Sequence, residues 1–559
     1  MSKSNTKNQK FNLIDAIFLL MPFCYGIFPI WSLCLLGIIC SIGIIYKYKK
    51  NNKIVMPKGI SIYLIVFYLI SFLITEFVAI DKGMNILAFI KNIPILLFIV
   101  LLAQYDETEE TKNRHFYMIS ISGVASVIFS LFLMLIPNSN VFLGGRLHGI
   151  FYYANSYGLF LLLGVLVLYF KNEKKWYDYL MLLPLFAGII LTNSRAIIVM
   201  TIVFSIISIF FNKSHIKSIA ISTVSFIMLF VGAYFIANME KRVSADMLSS
   251  SEFVSRIIYY EDAFNIIKSH PFGIGYEGFW YEQAKEQTAI YDTKFVHSSI
   301  VQVLLDVGWL PALALVILLG MTFFDKNQTA FNRIIMLAIL GHSIIDLDLE
   351  YIYFILIIAT FINYKNIVIK DKKLIYIPSL TLTVIFSWIF IGDTFYQIKD
   401  YKNAETVIPF HSDAIQELLY TVENEKEQLN YANKILDLNK NVSGAYEAFR
   451  NDAVKNNEYE SALEYEKERL SLNKYKINNY LEYASLISDA IAYYNKNDVE
   501  KNLDKIKYCL NEAIGIETSI KTVLDKTNPL CYKTIHTPEL DMPQGLVDFI
   551  EKCKSKVNI

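Results

Sequence analysis

The sequence predicts an all-α protein in two parts: a polytopic bundle of about 13 membrane helices (residues 1–393) and a C-terminal helical domain (residues 394–559). Three observations predict it. Apolar residues make up 54% of the 559-residue chain and mean hydropathy is +0.38, whereas soluble domains hold about 45–50% even with glycine counted. Nearly all the long apolar runs fall between residue 11 and about residue 393, while the remainder is rich in Lys, Glu, Asn and Tyr. Lysines recur at alternate connections between the apolar runs.

A helix crosses about 30 Å of hydrocarbon with about 20 apolar residues. Candidate spans are 12–29, 31–46, 59–79, 84–103, 115–136, 155–170, 177–193, 195–211, 217–237, 299–323, 328–345, 349–363 and 374–392. The first two adjoin at a tight turn near Pro29. Phe11–Ile30 follows Lys3, Lys7 and Lys10, but no small-residue cleavage site follows it. It reads as the first membrane helix rather than a cleaved signal.

With the N-terminus inside, the inner loops carry Lys47, Lys49, Lys50 and Lys53; Lys112 and Arg114; Lys171, Lys174 and Lys175; Lys213 and Lys217; Lys326 and Arg333; and Lys365, Lys370, Lys372 and Lys373. The short outer loops carry almost none, which is the positive-inside pattern. Thirteen crossings then place residues 394–559 outside. Lysine far outnumbers arginine, which with the many Asn and Ile residues suggests an AT-rich bacterial genome; the bundle is expected in the bacterial cytoplasmic membrane.

The formal net charge is zero, which gives no basic footprint for nucleic acid. Cys24, Cys34 and Cys40 lie in membrane segments as small apolar fillers. Cys509, Cys531 and Cys553 are odd in number, so at most one pair can form. No C-x-x-C pattern points to a metal, and no cofactor is expected.

The outer side carries three notable pieces: the loop Pro137–Ala154, the turn at Asn193–Arg195, and a long loop from Asn238 to Val296. Long polar insertions of this kind are usually functional. Arg146 lies in GGRLHGIFYYANSYG, Arg195 in LTNSRA and Arg256 in SSSEFVSRIIYYEDAFNIIKSH. In the last segment Phe253, Ile257, Tyr260, Phe264 and Ile267 recur at helical spacing, and a serine run offers an N-cap. An amphipathic helix on the membrane surface is expected there.

Three of only eight arginines thus converge on one face with His297 and with His342, Asp346 and Asp348 of GHSIIDLDLEY. Arginine's planar fork suits phosphate, and three such groups can neutralise a diphosphate. A histidine beside them can take a proton from a hydroxyl. The plain alternatives are arginines snorkelling to the headgroups, His342 and Asp346 forming a structural pair, and the glycines of PFGIGYEG serving turns. No strand precedes those glycines, so they are no dinucleotide fingerprint.

The ordered set resembles the O-antigen ligase/polymerase family of the Wzy/WaaL type over about residues 60–365. It comprises Arg146, Gly149 and Asn155; Thr192 to Arg195; Pro271 to Gly275; and a histidine opening a helix at His297. The resemblance implies a GT-C-like membrane architecture and an inverting, metal-independent glycosyltransferase. Its donor would be an oligosaccharide on undecaprenyl diphosphate, and its acceptor a glycan, protein or lipid. By that resemblance Arg146, Arg195 and Arg256 bind the diphosphate and His297 activates the acceptor. Asn155, Ser194, Gly273, Gly275 and Tyr276 support the site from the same motifs, with His342 and Asp346 beside it. His297-Ser298 departs from the family's His-Asn and leaves the acceptor type open.

In the C-terminal part, Leu438-Asn439-Lys440 recurs as Leu472-Asn473-Lys474 and Tyr431 as Tyr465, at an offset of 34. This resembles a tetratricopeptide repeat, whose concave face would dock assembly proteins or guide a growing glycan. Two other functions are weighed. A lipid-linked oligosaccharide flippase or transporter would show internal repeats and midplane charges. A membrane-anchored repeat scaffold would not need so many helices.

Overall fold

In the computed structural model, residues 11–105, 108–236, 251–497 and 499–557 are described. About three quarters of the chain is helical. Among the described residues, five helices are long and apolar enough to cross a membrane: Ile30–Asn51, Lys82–Leu102, Glu109–Leu133, Lys213–Tyr234 and Lys373–Gln397. Seven shorter apolar helices pack among them. Ala154–Phe170 is the central one, with every residue from Ala154 to Tyr169 buried, as its uniformly apolar sequence requires.

Three expected spans differ. The first is an eight-residue helix, Leu13–Leu20, followed by two 3-10 turns. Gly26 bends this stretch at φ +63° with its α-hydrogens against the Phe151 ring, where a Cβ would collide. The stretch 299–323 is two helices, Ser299–Val307 and Trp309–Phe323, broken at Gly308. There the Trp309 amide donates to Pro271 instead. The stretch 349–363 holds only the helix Ile352–Ala359.

Contacts at helix ends fix which loops share a face. Ile54–Lys58 pairs antiparallel with Lys365–Ile369, so two lysine-rich connections meet. Val55 is held by the Gln104 side chain just past Lys82–Leu102. At the other end of that helix, about 31 Å away at about 1.5 Å per residue, Asp81 accepts from Ser412 and from Asn439 (3.0 Å) of the C-terminal part. The two-stranded sheet and the C-terminal domain therefore lie at opposite ends of the bundle.

The C-terminal part is a succession of helices, each packed on the next. Glu425–Leu438 and Tyr459–Ser471 begin 34 residues apart, as do Ser443–Lys455 and Ile477–Lys496.

Residues 251–296 form a packed layer between bundle and domain. The helix Ser251–Ser269 is present, but its buried side is Val254, Ile258, Ala263, Ile266 and Ile267, with Phe253 and Phe264 largely exposed. The buried face is rotated because the helix packs on Ser299–Val307, Gly278–Glu286 and the turn Pro529–Lys533, not on lipid alone. The part of the expected loop over 238–250, with Ser249 and Ser250 of the serine run, lies outside the described residues; Ser251 is the first residue of the helix.

Buried polar groups lock this layer to the domain. Lys294 bridges Glu277 (2.7 Å) and Asp413 (3.0 Å), and Asn441 donates to Glu282 (2.7 Å). Burial raises the Glu277 carboxyl to about 8; the Lys294 charge opposes that rise and Asp413 adds to it. A carboxyl raised on folding contributes stability that is complete below its unfolded value, near 4.5, and is lost as pH rises through about 8. Lys294 is raised too, chiefly because Asp413 and Glu277 outweigh its burial, so its contribution changes only at more alkaline pH. The melting temperature of the purified protein should therefore fall between pH 5 and 8, and Glu277→Gln should flatten that dependence.

Candidate active site

Arg146 is positioned by a short hairpin, Phe142–Leu143 paired with Arg146–Leu147. Gly144 and Gly145 make its turn at φ +57° and +72°, which two-residue hairpins require. From there Arg146 Nε donates to the Thr192 carbonyl (3.0 Å) and Nη2 donates to Asn155 Oδ1. Thr192 ends one helix, Asn193 turns the chain at φ +49°, and Arg195 opens the next. One arginine thus ties the hairpin to the helix Ala154–Phe170 and to the turn that carries Ser194 and Arg195.

The other side of Asn155 meets Asp346, which is 1% exposed. Asn155 Nδ2 donates to Asp346 Oδ2 (2.5 Å), and the Tyr153 hydroxyl donates to Oδ1 (2.6 Å). Arg256 Nη2 lies 3.9 Å from the same carboxylate and its Nη1 donates to the Ile345 carbonyl (3.1 Å). His297 Nδ1 lies 3.7 Å from Asp346 Oδ1 and 3.5 Å from the Tyr153 oxygen.

Four sequence-distant segments therefore converge: 146–155, 256, 297 and 346. Burial raises the Asp346 carboxyl, but His297, His342 and Arg256 together outweigh burial and hold it below the usual carboxylate range. It is an anion that orients its neighbours.

His297 is held on three sides. Its carbonyl accepts from the Tyr260 hydroxyl (2.5 Å), and its ring faces Tyr259 at 6.3 Å between centroids. The following helix is pinned because Ser299 donates to the Asp346 carbonyl through both its amide and its hydroxyl, each at 2.9 Å. Ser298 caps that helix. Tyr153 spends its proton on Asp346, so it can only accept from His297. That favours the Nδ1–H tautomer and leaves the Nε2 lone pair for chemistry. The side chain is 26% exposed, open enough to meet a substrate.

Other expected site residues lie elsewhere. His342 pairs with Asp348 (2.5 Å), not with Asp346 four residues on. Asp348 also accepts from Ser156 (2.8 Å), so this buried pair braces the central helix from below. Gly273, Gly275 and Tyr276 lie around the far end of the helix that follows His297. At Gly273 (φ +85°) a Cβ would stand 2.7 Å from the Asp306 carbonyl; at Gly275 (φ +81°) it would stand 2.7 Å from Ala79. The Tyr276 ring lies under the Lys91 amine at 3.5 Å. These glycines serve close backbone approach, so Gly273→Ala should cost about 1–3 kcal/mol, read as a lower melting temperature.

Sequence reasoning missed Tyr153, which looked like one more interfacial aromatic, and Asp262. Asp262 is a buried carboxylate that accepts from Thr288 and Tyr291 behind His297.

Arg195 is half-buried and, among the described residues, has no hydrogen-bond or ion-pair partner. Arg195→Ala should therefore shift stability by no more than about 0.5 kcal/mol. Arg146→Ala, which takes a donor from Asn155 Oδ1 and from the Thr192 carbonyl, should cost about 1–3 kcal/mol. Urea unfolding of the two variants checks the contrast.

Residues 180–322 match the family model described as O-antigen ligase. The matched span contains Ser194, Arg195, Arg256 and His297; the fold brings Arg146, Tyr153, Asn155 and Asp346 to it from outside. No curated protein matches the chain.

Proposed function

We propose that this chain, whose residues 180–322 match the O-antigen ligase family model, is a membrane glycosyl-transfer enzyme that elongates or transfers a glycan carried on undecaprenyl diphosphate at the outer face of the bacterial cytoplasmic membrane. The observation that carries this reading is the convergence of Arg146, Arg256, Asp346 and His297 at one end of the bundle, with Arg195 joined to them through the Thr192–Arg146 contact.

The acceptor hydroxyl gives its proton to His297 Nε2 as its oxygen bonds to the donor's anomeric carbon. The bond from that carbon to the diphosphate breaks, and undecaprenyl diphosphate leaves with the electron pair. Attack opposite the leaving group inverts the anomeric centre. Arg195 and Arg256, with the outward side of Arg146, stabilise the charge gathering on the diphosphate, so the step needs no metal. Asp346 and Tyr153 hold His297 in the productive tautomer, as a carboxylate orients a histidine base elsewhere.

The end-to-end contacts support an odd number of traverses, as thirteen is. Asp15 near the N-terminus meets Arg114 (2.9 Å) beside the Lys112 loop. Trp31 and His411 meet Asp393 at the opposite side. With lysines concentrated on the sheet's side, residues 394–559 lie outside. The 34-residue recurrence of helix starts supports a tetratricopeptide-like array that receives glycan or an assembly protein.

Purified protein incubated with a lipid-linked repeat unit tests the function. Chain growth without added acceptor means polymerase, the reading we favour. Product only with an added glycan, protein or lipid acceptor means ligase. No product in either case, with a folded protein, counts against both.

A further inference from the structure

The outer domain contains a cleft of about 560 Å³ between residues 285–288 and the helices Tyr459–Ser471, Ile477–Lys496 and Leu503–Lys526. Lys285, Lys467, Lys474 and Lys526 line it, against two carboxylates, Glu286 and Glu512. Glu512 is already engaged, by Lys467 (2.8 Å) and the Tyr483 hydroxyl (2.6 Å). The Lys474 amine is turned to the Lys285 carbonyl at 2.5 Å. Among the described residues, the exposed amines of Lys285 and Lys526 have no hydrogen-bond or ion-pair partner. Burial lowers the Lys474 pKa, and the Lys526 charge lowers it further, against Glu286 and Asp262. Cations drawn together at this cost are relieved by an anion between them.

The rest of the lining includes Ser471, Ser519 and Thr522, whose hydroxyls donate to carbonyls of their own helices and keep an oxygen that can accept from a sugar hydroxyl. Through a relay of side-chain contacts the cleft is also linked to the candidate active site. Its wall at Gln287–Thr288 accepts the Tyr475 hydroxyl (3.3 Å) and donates from Thr288 to Asp262. Asp262 binds Tyr291, whose ring lies 4.5 Å from Tyr259, and Tyr259 faces His297.

Resting on the proposed glycosyl transfer, we infer that this cleft binds an acidic glycan, a saccharide chain bearing carboxylate or phosphate groups, and holds the growing product beside the site that extends it. The enzyme's substrate is then an anionic repeat unit.

Full-length protein in lipid nanodiscs, titrated with fluorescent hexagalacturonate, maltohexaose and hexaglutamate at low salt, tests this. Hexagalacturonate should bind best and weaken at least tenfold in the double variant Lys285→Glu/Lys526→Glu. That variant should make shorter products at an unchanged rate of first transfer. Equal binding of maltohexaose, tighter binding of hexaglutamate, no binding of hexagalacturonate, or unchanged binding in the double variant would each overturn the inference. His297→Ala separates the two claims. Retained binding with lost transfer supports both, whereas retained transfer removes the catalytic assignment and leaves the cleft to be judged on binding alone.

Discussion

His297→Ala should lower glycan transfer by about 10²–10⁴-fold, the usual contribution of a positioned general base, while the protein inserts and accumulates normally. The side chain is a quarter exposed and its hydrogen bond to the outer layer runs through its backbone carbonyl. Losing the imidazole therefore leaves the Tyr260 contact and the cap at Ser298 in place. The measurement is product formed per milligram of purified protein, beside its melting temperature. A variant that melts like wild type and still makes product at a comparable rate is incompatible with His297 as the base.

Asp346→Ala should be the most damaging single change in the site, because it removes structure and orientation together. The buried carboxylate is shared by Asn155, Tyr153, Arg256 and His297, and its loss leaves their donors facing a void. Breaking a buried ionic group of this kind costs about 3–5 kcal/mol, discounted here because Arg256 is 30% exposed. Asp346→Asn separates the two roles. It keeps the volume and one acceptor, so the protein should remain folded, but its amide competes with the Tyr153 proton and releases His297 from its tautomer. Folded Asp346→Asn with full activity would show that the carboxylate is only a brace.

The helical, largely apolar character of residues 11–397 was legible because crossing a membrane imposes length and apolarity on a span. Alternating lysines then fixed which connections belong together, and the pairing of Ile54–Lys58 with Lys365–Ile369 agrees. The breaks were not legible. Gly26 and Gly308 lie inside apolar runs that pass for continuous helix. What interrupts them is tertiary: a ring pressed on Gly26, and the Pro271–Gly273 backbone pressed on Gly308.

In the candidate site, residues of unusual type for their surroundings were readable, namely arginines and a histidine beside long apolar runs. Tyr153 was hidden by the many tyrosines that end membrane helices, and Asp262 by its place on a helix face expected to be polar. His342 was matched to Asp346 by helical spacing, but its helix ends at Ser343. Beyond that point the i, i+4 rule no longer applies, and the loop delivers Asp348 instead. The rotated face of Ser251–Ser269 has the same origin: Val254 and Ile258 are buried by partners that are distant in sequence.

The most direct measurement is release of undecaprenyl diphosphate by purified protein given a lipid-linked repeat unit, compared among wild type, His297→Ala and Arg195→Ala. Wild type should give release and glycan product in equal amounts. Both should be lost in the two variants, with Arg195→Ala as stable as wild type. Undiminished release from either folded variant, or a wild type that binds the lipid-linked unit and leaves the sugar–diphosphate bond intact, would contradict the proposed transfer.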